Sequence, residues 1–305
     1  MRIVFMGTPE IAAQSLQAVL AAGHEVCAVF TREDKPVGRK QILTAPPVKQ
    51  AALAAGLTVY QPRTLRDGSA EELLRSLSPE LIVVVAYGRI LPASILSIPR
   101  YGCINLHVSL LPKYRGAAPV QWAVLNGDAQ TGVTIMQLDE GLDTGDILEV
   151  APVTIGENET SGELFARIGT LGAQTLCHTI ESIAAGKVQP RPQNEAEATQ
   201  APPLTKEMGQ FTFAQSARQL HNLVRGLNPW PVASFVCGGK RIKVLHTTVS
   251  TQQGEPGTIL QLKPLTVACG EGALCLVEVV PEGSRPMEGT AWAMGRRYAV
   301  GDRLE

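Results

Sequence analysis

Short apolar runs alternate with helical stretches from residue 2 to about residue 185, and this alternation is the feature that most limits the possible folds. The run Leu81–Ala86 contains only apolar residues, which is typical of a central parallel strand buried on both faces. Arg2–Met6 and Glu25–Thr31 predict two further strands on either side of an Ala-rich helix at Glu10–Ala22. The sequence therefore predicts an α/β fold with a Rossmann-like, doubly wound and mostly parallel sheet.

Two pairs of residues have the spacing that begins helices. Ser69 precedes Glu72 by three positions, and Thr160 precedes Glu163 by three positions, as in a capping box. We expect a helix after each pair, the second of which runs to about Ala185.

The remainder of the chain has a different character. Residues 186–207 hold four prolines among polar residues, which predicts a semi-rigid, largely extended connector. After a predicted helix at 214–227, about five short β-rich runs follow, with Gly238–Gly239 at a hairpin. We expect these strands to form a small closed β-barrel of the oligonucleotide-binding type. The predicted divisions are a catalytic domain at 1–189, a linker at 190–208 and a β-barrel domain at 209–305.

Composition and charge exclude several classes of protein. Of the 305 residues, 45% are hydrophobic and 18% are charged, so the chain is not of the disordered class. It has no apolar run of membrane-spanning length and no signal-peptide pattern at Met1–Glu10, so we expect a cytoplasmic protein. The six cysteines and five histidines are scattered, which argues against a disulfide framework or a metal site. Residues 206–305 carry 11 basic against 8 acidic side chains, a mildly basic balance that suits weak contact with a polyanion.

The first strand-to-helix turn argues against one common function of this fold. Dinucleotide-binding proteins carry three glycines there, but this chain has Gly7 followed by Pro9 and Ala12 at the other two positions. Without those glycines the backbone cannot approach a pyrophosphate closely, so a Rossmann dehydrogenase is disfavoured.

Two segments carry candidate chemistry. Asn105 and His107 are two positions apart in a predicted strand, so both side chains should face the same cleft at its carboxyl end. A strand histidine alone is more often a structural residue. Farther along, the segment Gly141–Asp146 places Asp143 and a second aspartate among glycines in a loop that could fold over a ligand.

Together these segments resemble the folate-dependent formyltransferase family. The similarity covers nearly the whole chain, and it includes Asn-x-His at 105–107, Ser-Leu-Leu-Pro at 109–112 and Gly-Leu-Asp-Thr-Gly at 141–145. The first two motifs are specific for formyl transfer from 10-formyltetrahydrofolate, but family members with different acceptors share them. The loop Gly38–Lys40, the linker and a β-barrel second domain favour members that formylate the α-amino group of methionine on initiator tRNA, for translation initiation.

The resemblance also implies roles for individual residues. An amine attacks the formyl carbon, while Asn105 and protonated His107 donate hydrogen bonds to the oxygen on which charge develops. Asp143 would lie beside His107, where it either favours the charged imidazole or relays the proton of the amine. Folate contacts are expected from Arg89, Ile90, Leu91, Ser109, Leu110, Leu111 and Pro112. Contacts with tRNA are expected from Arg39, Lys40, Lys206, Lys240, Arg241 and Lys243.

The expected partners are thus the folate co-substrate and initiator tRNA, with no metal and no membrane, and the protein is expected to be a monomer. One alternative is a formyltransferase that acts on an amino sugar nucleotide or another small amine, which the motifs fit equally well but the predicted barrel disfavours. A second alternative is a tRNA-binding protein with an inactive catalytic domain. The presence of all three residues Asn105, His107 and Asp143 argues against it.

Overall fold

The predicted sheet is present, with seven strands, in the computed structural model, which describes residues 1–38 and 40–304. Across the sheet the strands are β10 (Ile147–Thr154), β9 (Gln130–Gln137), β7 (Cys103–His107), β6 (Leu81–Val85), β1 (Arg2–Gly7), β2 (Glu25–Phe30) and β5 (Val59–Tyr60). The strands from β7 to β5 pair in parallel, whereas β9 is antiparallel to β7. A separate two-stranded sheet pairs β8 (Arg115–Gly116) with β11 (Gln200–Ala201). All five residues of β6 are buried, which confirms the predicted central strand.

The described residues also form eight α-helices. Their bounds are α1 (Glu10–Ala21), α2 (Pro47–Ala54), α3 (Ser69–Leu77), α4 (Ala93–Leu96), α5 (Pro119–Leu125), α6 (Ser161–Ala184), α7 (Ala217–Gly226) and α8 (Gly289–Gly295). One core cluster joins apolar side chains of β1, β2, β6 and β7 with Leu74 of α3 and Ile95 of α4, all fully or nearly fully buried. Within the described residues, no helix is both long and apolar enough to span a membrane.

Only one of the two predicted capping boxes forms. Thr160 and Glu163 exchange hydrogen bonds, because the backbone N of Thr160 donates to the Glu163 carboxylate at 2.8 Å and the N of Glu163 donates to Thr160 Oγ1 at 3.3 Å. The prediction of a capping box at Ser69 is wrong. The hydroxyl and the backbone N of Ser69 both donate to the carboxylate of Asp67, at 2.7 and 3.1 Å, and Gly68 takes the cap position. The nearby aspartate competes for the same donors.

The polar loop at 31–44 contains a small hairpin. Strands β3 (Lys35–Val37) and β4 (Ile42–Thr44) pair in antiparallel orientation, and Val37, Ile42 and Leu43 are exposed. The sequence did not predict these strands because they are short and bury no side chain. Arg39 lies between them, outside the described residues.

The β-rich second part is confirmed as an antiparallel sheet of six strands. They are β12 (Ser234–Cys237), β13 (Lys240–Ser250), β14 (Ile259–Leu262), β15 (Leu265–Ala268), β16 (Ala273–Pro281) and β17 (Met287–Glu288). The order is β12-β13-β16-β15-β14, with β17 paired to β16. Gly238 and Gly239 both have positive φ in the predicted hairpin. The sheet resembles a barrel, but the expected closure is not seen, since no pairing between its end strands occurs among the described residues.

The chain divides into two compact units that are discontinuous in sequence. The first contains 1–116, 132–153 and 166–200, and the second contains 117–131, 154–165 and the residues from Ala201 onward. Within the second unit α5 packs on α7, so closely that a Cβ on Gly226 would lie 2.8 Å from the Leu125 side chain. The contiguous boundaries 1–189, 190–208 and 209–305 remain a prediction.

Gly7 provides a test of the close turn from β1 into α1. A Cβ at this position would lie 2.6 Å from Ala12 Cβ and 2.9 Å from the Val85 carbonyl oxygen, neither of which can move without shifting backbone. We expect Gly7→Ala to lower the free energy of unfolding by about 1–3 kcal/mol, measured by denaturant titration. Gly295→Ala is the control, because its Cβ would meet open space. A Gly7→Ala protein as stable as the wild type would contradict the close approach.

Candidate active site

The strand β7 carries the two candidate residues to the edge of the sheet. Asn105 and His107 are two positions apart, so they lie on one side of the strand with Cys103, which belongs to the core cluster. Burial raises the pKa of the Cys103 thiol to about 12, so this thiol stays protonated and is no nucleophile. Asn105 is half-buried, and its amide forms no hydrogen bond with a described residue. The amide is therefore available to a ligand.

His107 is only 6% exposed and has two neighbours at its ring nitrogens. Nε2 lies 2.9 Å from the carbonyl oxygen of Tyr114, and Nδ1 lies 3.6 Å from Oδ2 of Asp143. Because a carbonyl oxygen only accepts, Nε2 must carry a proton and donate it to this bond. The second nitrogen, Nδ1, is left to face the Asp143 carboxylate. The structure thus brings His107 and Asp143 together from stretches of chain that are far apart in sequence.

The Asp143 side chain is held in place by the backbone. Its Oδ2 accepts a hydrogen bond from the N–H of Gly116 at 2.8 Å, and its side chain is 13% exposed. The residue has φ 56°, in the left-handed region that non-glycine residues seldom adopt. Gly145 ends the loop next to the backbone of Gln137, where a Cβ would lie 1.8 Å from the carbonyl oxygen. Only glycine fits at that position.

The turn after β7 is braced by a residue of β9 that the sequence did not single out. Thr134 Oγ1 donates to the carbonyl oxygen of Ser109 at 2.7 Å and accepts from the N of Leu111 at 3.1 Å. Ser109 is fully buried and its hydroxyl donates to the Lys113 carbonyl at 2.6 Å, so this hydroxyl is already engaged. The sequence carries no signal for Thr134, because its place opposite His107 comes from the register of β9 on β7 in the folded sheet.

The other predicted folate contacts differ in exposure. Leu111 is buried in a small apolar cluster, whereas Leu110 and Pro112 are half-buried. Ile90 is 63% exposed, Leu91 is 5% exposed, and Arg89 lies between these extremes. Their roles in folate binding stay predictions.

Two arginines, Arg89 in the segment after β6 and Arg32 beside that segment, have unused hydrogen-bond donors. The Nε atoms of Arg32 and Arg89 are buried without a hydrogen-bond partner among the described residues. Arg32 Nη1 donates to the Gly88 carbonyl at 2.6 Å, and Thr8 Oγ1 donates to the Tyr87 carbonyl at 3.2 Å. Orphaned buried donors of this kind fit a segment that binds a polar ligand.

Arg115 is a buried cation that sequence reasoning missed. It is 3% exposed, and its guanidinium donates to Gln193 Oε1 at 2.8 and 3.1 Å and to the Glu195 carboxylate at 2.7 and 2.9 Å. The hydrogen bonds with Glu195 raise the pKa of Arg115 above its ordinary value and lower that of Glu195. The connector, which the sequence predicts to be semi-rigid and extended, therefore also binds Arg115 beside the site.

The predicted tRNA contacts that the structure describes lie on the surface. Lys40 is exposed beside Arg39, which the structure does not describe. In the second unit Arg241 and Lys243 are exposed on one side of β13, while Ile242 and Val244 on its other side are buried. Lys206 and Lys240 are also exposed. Within the described residues, no group of three or more His, Cys, Asp or Glu side chains could hold a metal ion.

Comparison with known proteins assigns the family. A model described as "Formyl transferase" matches residues 1–180, and one described as "Formyl transferase, C-terminal domain" matches residues 203–297. The structure is similar to an N-formyltransferase from Helicobacter canadensis in complex with folinic acid and dTDP-3-aminofucose. The TM-score is 0.69 at 19% identity, over 93% of this chain and 99% of that one. At this identity the likeness shows the fold alone.

Two curated relatives are much closer in sequence. The methionyl-tRNA formyltransferase of Lachnospira eligens is 46% identical, over 100% of this chain and 99% of that protein. The methionyl-tRNA formyltransferase of Solibacter usitatus is 45% identical, over 100% and 98%. The chain therefore belongs to the formyl transferase family and, within it, to the methionyl-tRNA formyltransferases.

Proposed function

We propose that the protein transfers the formyl group of 10-formyltetrahydrofolate to the α-amino group of methionine on initiator tRNA, for translation initiation. The observation that carries this proposal is the approach of His107 Nδ1 to the Asp143 carboxylate, 3.6 Å away, with Asn105 on the same side of β7. The choice of acceptor follows from the relatives, which are named methionyl-tRNA formyltransferases. The same proposal includes that the protein is a monomer, acts in the cytoplasm and needs no metal.

Asn105 and His107 would stabilise the tetrahedral intermediate. The bond from the amine nitrogen to the formyl carbon forms, negative charge develops on the formyl oxygen, and the bond from that carbon to N10 of the folate then breaks. Each preorganised donor to this oxygen contributes about 3–4 kcal/mol. Because Nε2 of His107 is engaged by Tyr114, Nδ1 is the nitrogen left for this role, and it could donate only from a doubly protonated ring.

Asp143 has two possible roles that both agree with its position. As a carboxylate 3.6 Å from Nδ1, it attracts the positive imidazolium form of His107. It can also accept the proton that the attacking amine loses, while N10 of the folate gains one as it leaves. The folate would be bound by the backbone at Arg89–Leu91 and by the turn Ser109–Pro112. The buried, unpartnered Nε of Arg89 fits this placement.

Two other functions are weaker candidates. The Helicobacter canadensis structure contains an amino sugar nucleotide, so the same fold serves small amines. The 46% identity to a methionyl-tRNA formyltransferase over the whole chain and the exposed cations of β13 favour tRNA instead. A tRNA-binding protein without activity is disfavoured by the close approach of His107 and Asp143.

An acceptor assay separates these functions. Methionyl initiator tRNA and a 4-amino sugar nucleotide are each incubated with the protein and radiolabelled 10-formyltetrahydrofolate. We expect label only on the tRNA. Label on the sugar alone would contradict the acceptor that we propose, and absence of label from both would favour the inactive tRNA-binding protein.

His107→Ala tests the stabilisation of the oxyanion. We expect kcat to fall by at least about 100-fold, because the lost donor acts on charge that develops in the transition state. The Kd for tRNA should stay nearly unchanged in a filter-binding assay. His178→Ala is the matched control, since this histidine on α6 is largely exposed and pairs with Glu149, away from the Asn105–His107 strand. A loss of tRNA binding equal to the loss of turnover would contradict the role of His107.

Lys243→Ala tests the surface of the second unit. If Lys243 contacts a phosphate, the slope of log Kd for tRNA against log salt concentration should decrease by roughly 1, because one fewer counterion is released. Lys187→Ala removes an equally exposed charge that we do not place in the tRNA contact, and its slope should match the wild type. An unchanged slope for Lys243→Ala would remove this residue from the interface.

A further inference from the structure

Two residues of the connector form hydrogen bonds with backbone groups of Tyr114 and Asp143, the two active-site residues with positive φ. Gln193 Nε2 donates to the carbonyl oxygens of Asp143 and Gly145, at 2.9 and 2.7 Å. Thr199 Oγ1 accepts from the N–H of Tyr114 at 2.9 Å. Tyr114 and Asp143 have φ 62° and 56°, so both occupy the left-handed region. Non-glycine residues remain there only when surrounding contacts hold them.

We propose that Gln193 and Thr199 are positioning residues for formyl transfer, an inference that rests on the proposed function. Each holds one member of the His107–Asp143 pair through the backbone. Gln193 holds the loop that presents Asp143, and Thr199 holds Tyr114, whose carbonyl oxygen accepts from His107 Nε2. The connector thereby fixes the distance and orientation between the His107 imidazole and the Asp143 carboxylate.

Arg115 gives the Gln193 amide its direction. The guanidinium donates through Nε and Nη2 to Oε1 of Gln193, so the Nε2 end of the amide must point away from Arg115. That end meets the two loop carbonyls. Glu195, also in the connector, pairs with the same guanidinium at 2.7 Å. A glutamate at position 193 could still accept from Arg115 but could not donate to the loop, and it would place a negative charge beside two carbonyl oxygens.

The geometry explains why small displacements would matter. Between Tyr114 and Gly116 the chain supplies the acceptor for His107 and, at 2.8 Å, the donor for the Asp143 carboxylate. A shift of the 139–145 loop therefore breaks the alignment of Asp143 with both the imidazole and this N–H. Misplacement of a reacting group by about 1 Å can lower a rate by roughly 100-fold.

Gln193→Glu is the first test. We expect kcat for methionyl-tRNA formylation to fall by roughly 10- to 100-fold, with KM for the formyl donor and Kd for tRNA close to the wild-type values. Gln17→Glu is the matched control, because Gln17 is exposed on α1 and makes no side-chain hydrogen bond with a described residue. If Gln193→Glu does not fold, as judged by circular dichroism, Gln193→Ala takes its place, since it removes both donors without adding charge.

A double-mutant cycle distinguishes positioning from general damage. If Gln193 acts through Asp143, then Gln193→Glu should cause little further loss of kcat in a protein that already carries Asp143→Asn. Losses that multiply would mean that Gln193 acts elsewhere, and would overturn the proposal. A Gln193→Glu protein as active as Gln17→Glu would overturn it as well.

Thr199 offers an isosteric pair of variants. Thr199→Val removes the acceptor for the Tyr114 N–H and should lower kcat. Thr199→Ser keeps a hydroxyl acceptor and should retain most of the wild-type kcat. Equal activity of the two variants would contradict the role of Thr199.

The same experiments separate this inference from the proposed function. If the wild-type protein does not formylate methionyl-tRNA, or if Asp143→Asn is fully active, the proposed site and the positioning role fail together. If Asp143→Asn loses activity but the variants of Gln193 and Thr199 do not, only the positioning role fails.

Discussion

The hydrogen bond from His107 Nε2 to the carbonyl oxygen of Tyr114 is the interaction on which the rest of the site depends. It requires a proton on Nε2, and it leaves Nδ1 facing the Asp143 carboxylate. Two residues later the N–H of Gly116 donates to the same carboxylate, at 2.8 Å. A three-residue segment therefore sets both partners of the pair, and its own backbone is strained at Tyr114.

The sheet provides a rigid frame for this segment. Strand β7 pairs in parallel with β6 and in antiparallel orientation with β9, so it cannot tilt without breaking two ladders. Thr134 of β9 then braces the turn that follows His107, through the carbonyl of Ser109 and the N–H of Leu111. The reversal of direction at β9 thus has a local consequence, because it places the brace directly opposite the histidine.

The second unit includes residues that lie outside the match to the C-terminal family model at 203–297. Residues 117–131 and 154–165 fall within the N-terminal match at 1–180 but pack with the C-terminal sheet. A buried histidine of α7, His221, bridges Thr247 Oγ1 at 2.9 Å and the Glu157 carbonyl at 3.0 Å. Burial lowers the pKa of His221, so this bridge is made by the neutral imidazole. Excision at the matched boundaries would leave this polar contact unpaired.

Sequence patterning by itself determined the βα order, the buried strand β6, the β-rich second part, and the placement of Asn105 and His107 on one side of a strand. These features depend on spacing within short stretches, where a period of two or a cap signal is visible. The association of Asp143 with His107 came from family resemblance. Only the tertiary structure decided that Tyr114 engages the imidazole, that Thr134 braces the turn, and that Gln193 and Thr199 reach the site from the connector. Each of these is a hydrogen bond between side chain and backbone, and only the folded backbone path determines which carbonyl or N–H a side chain meets.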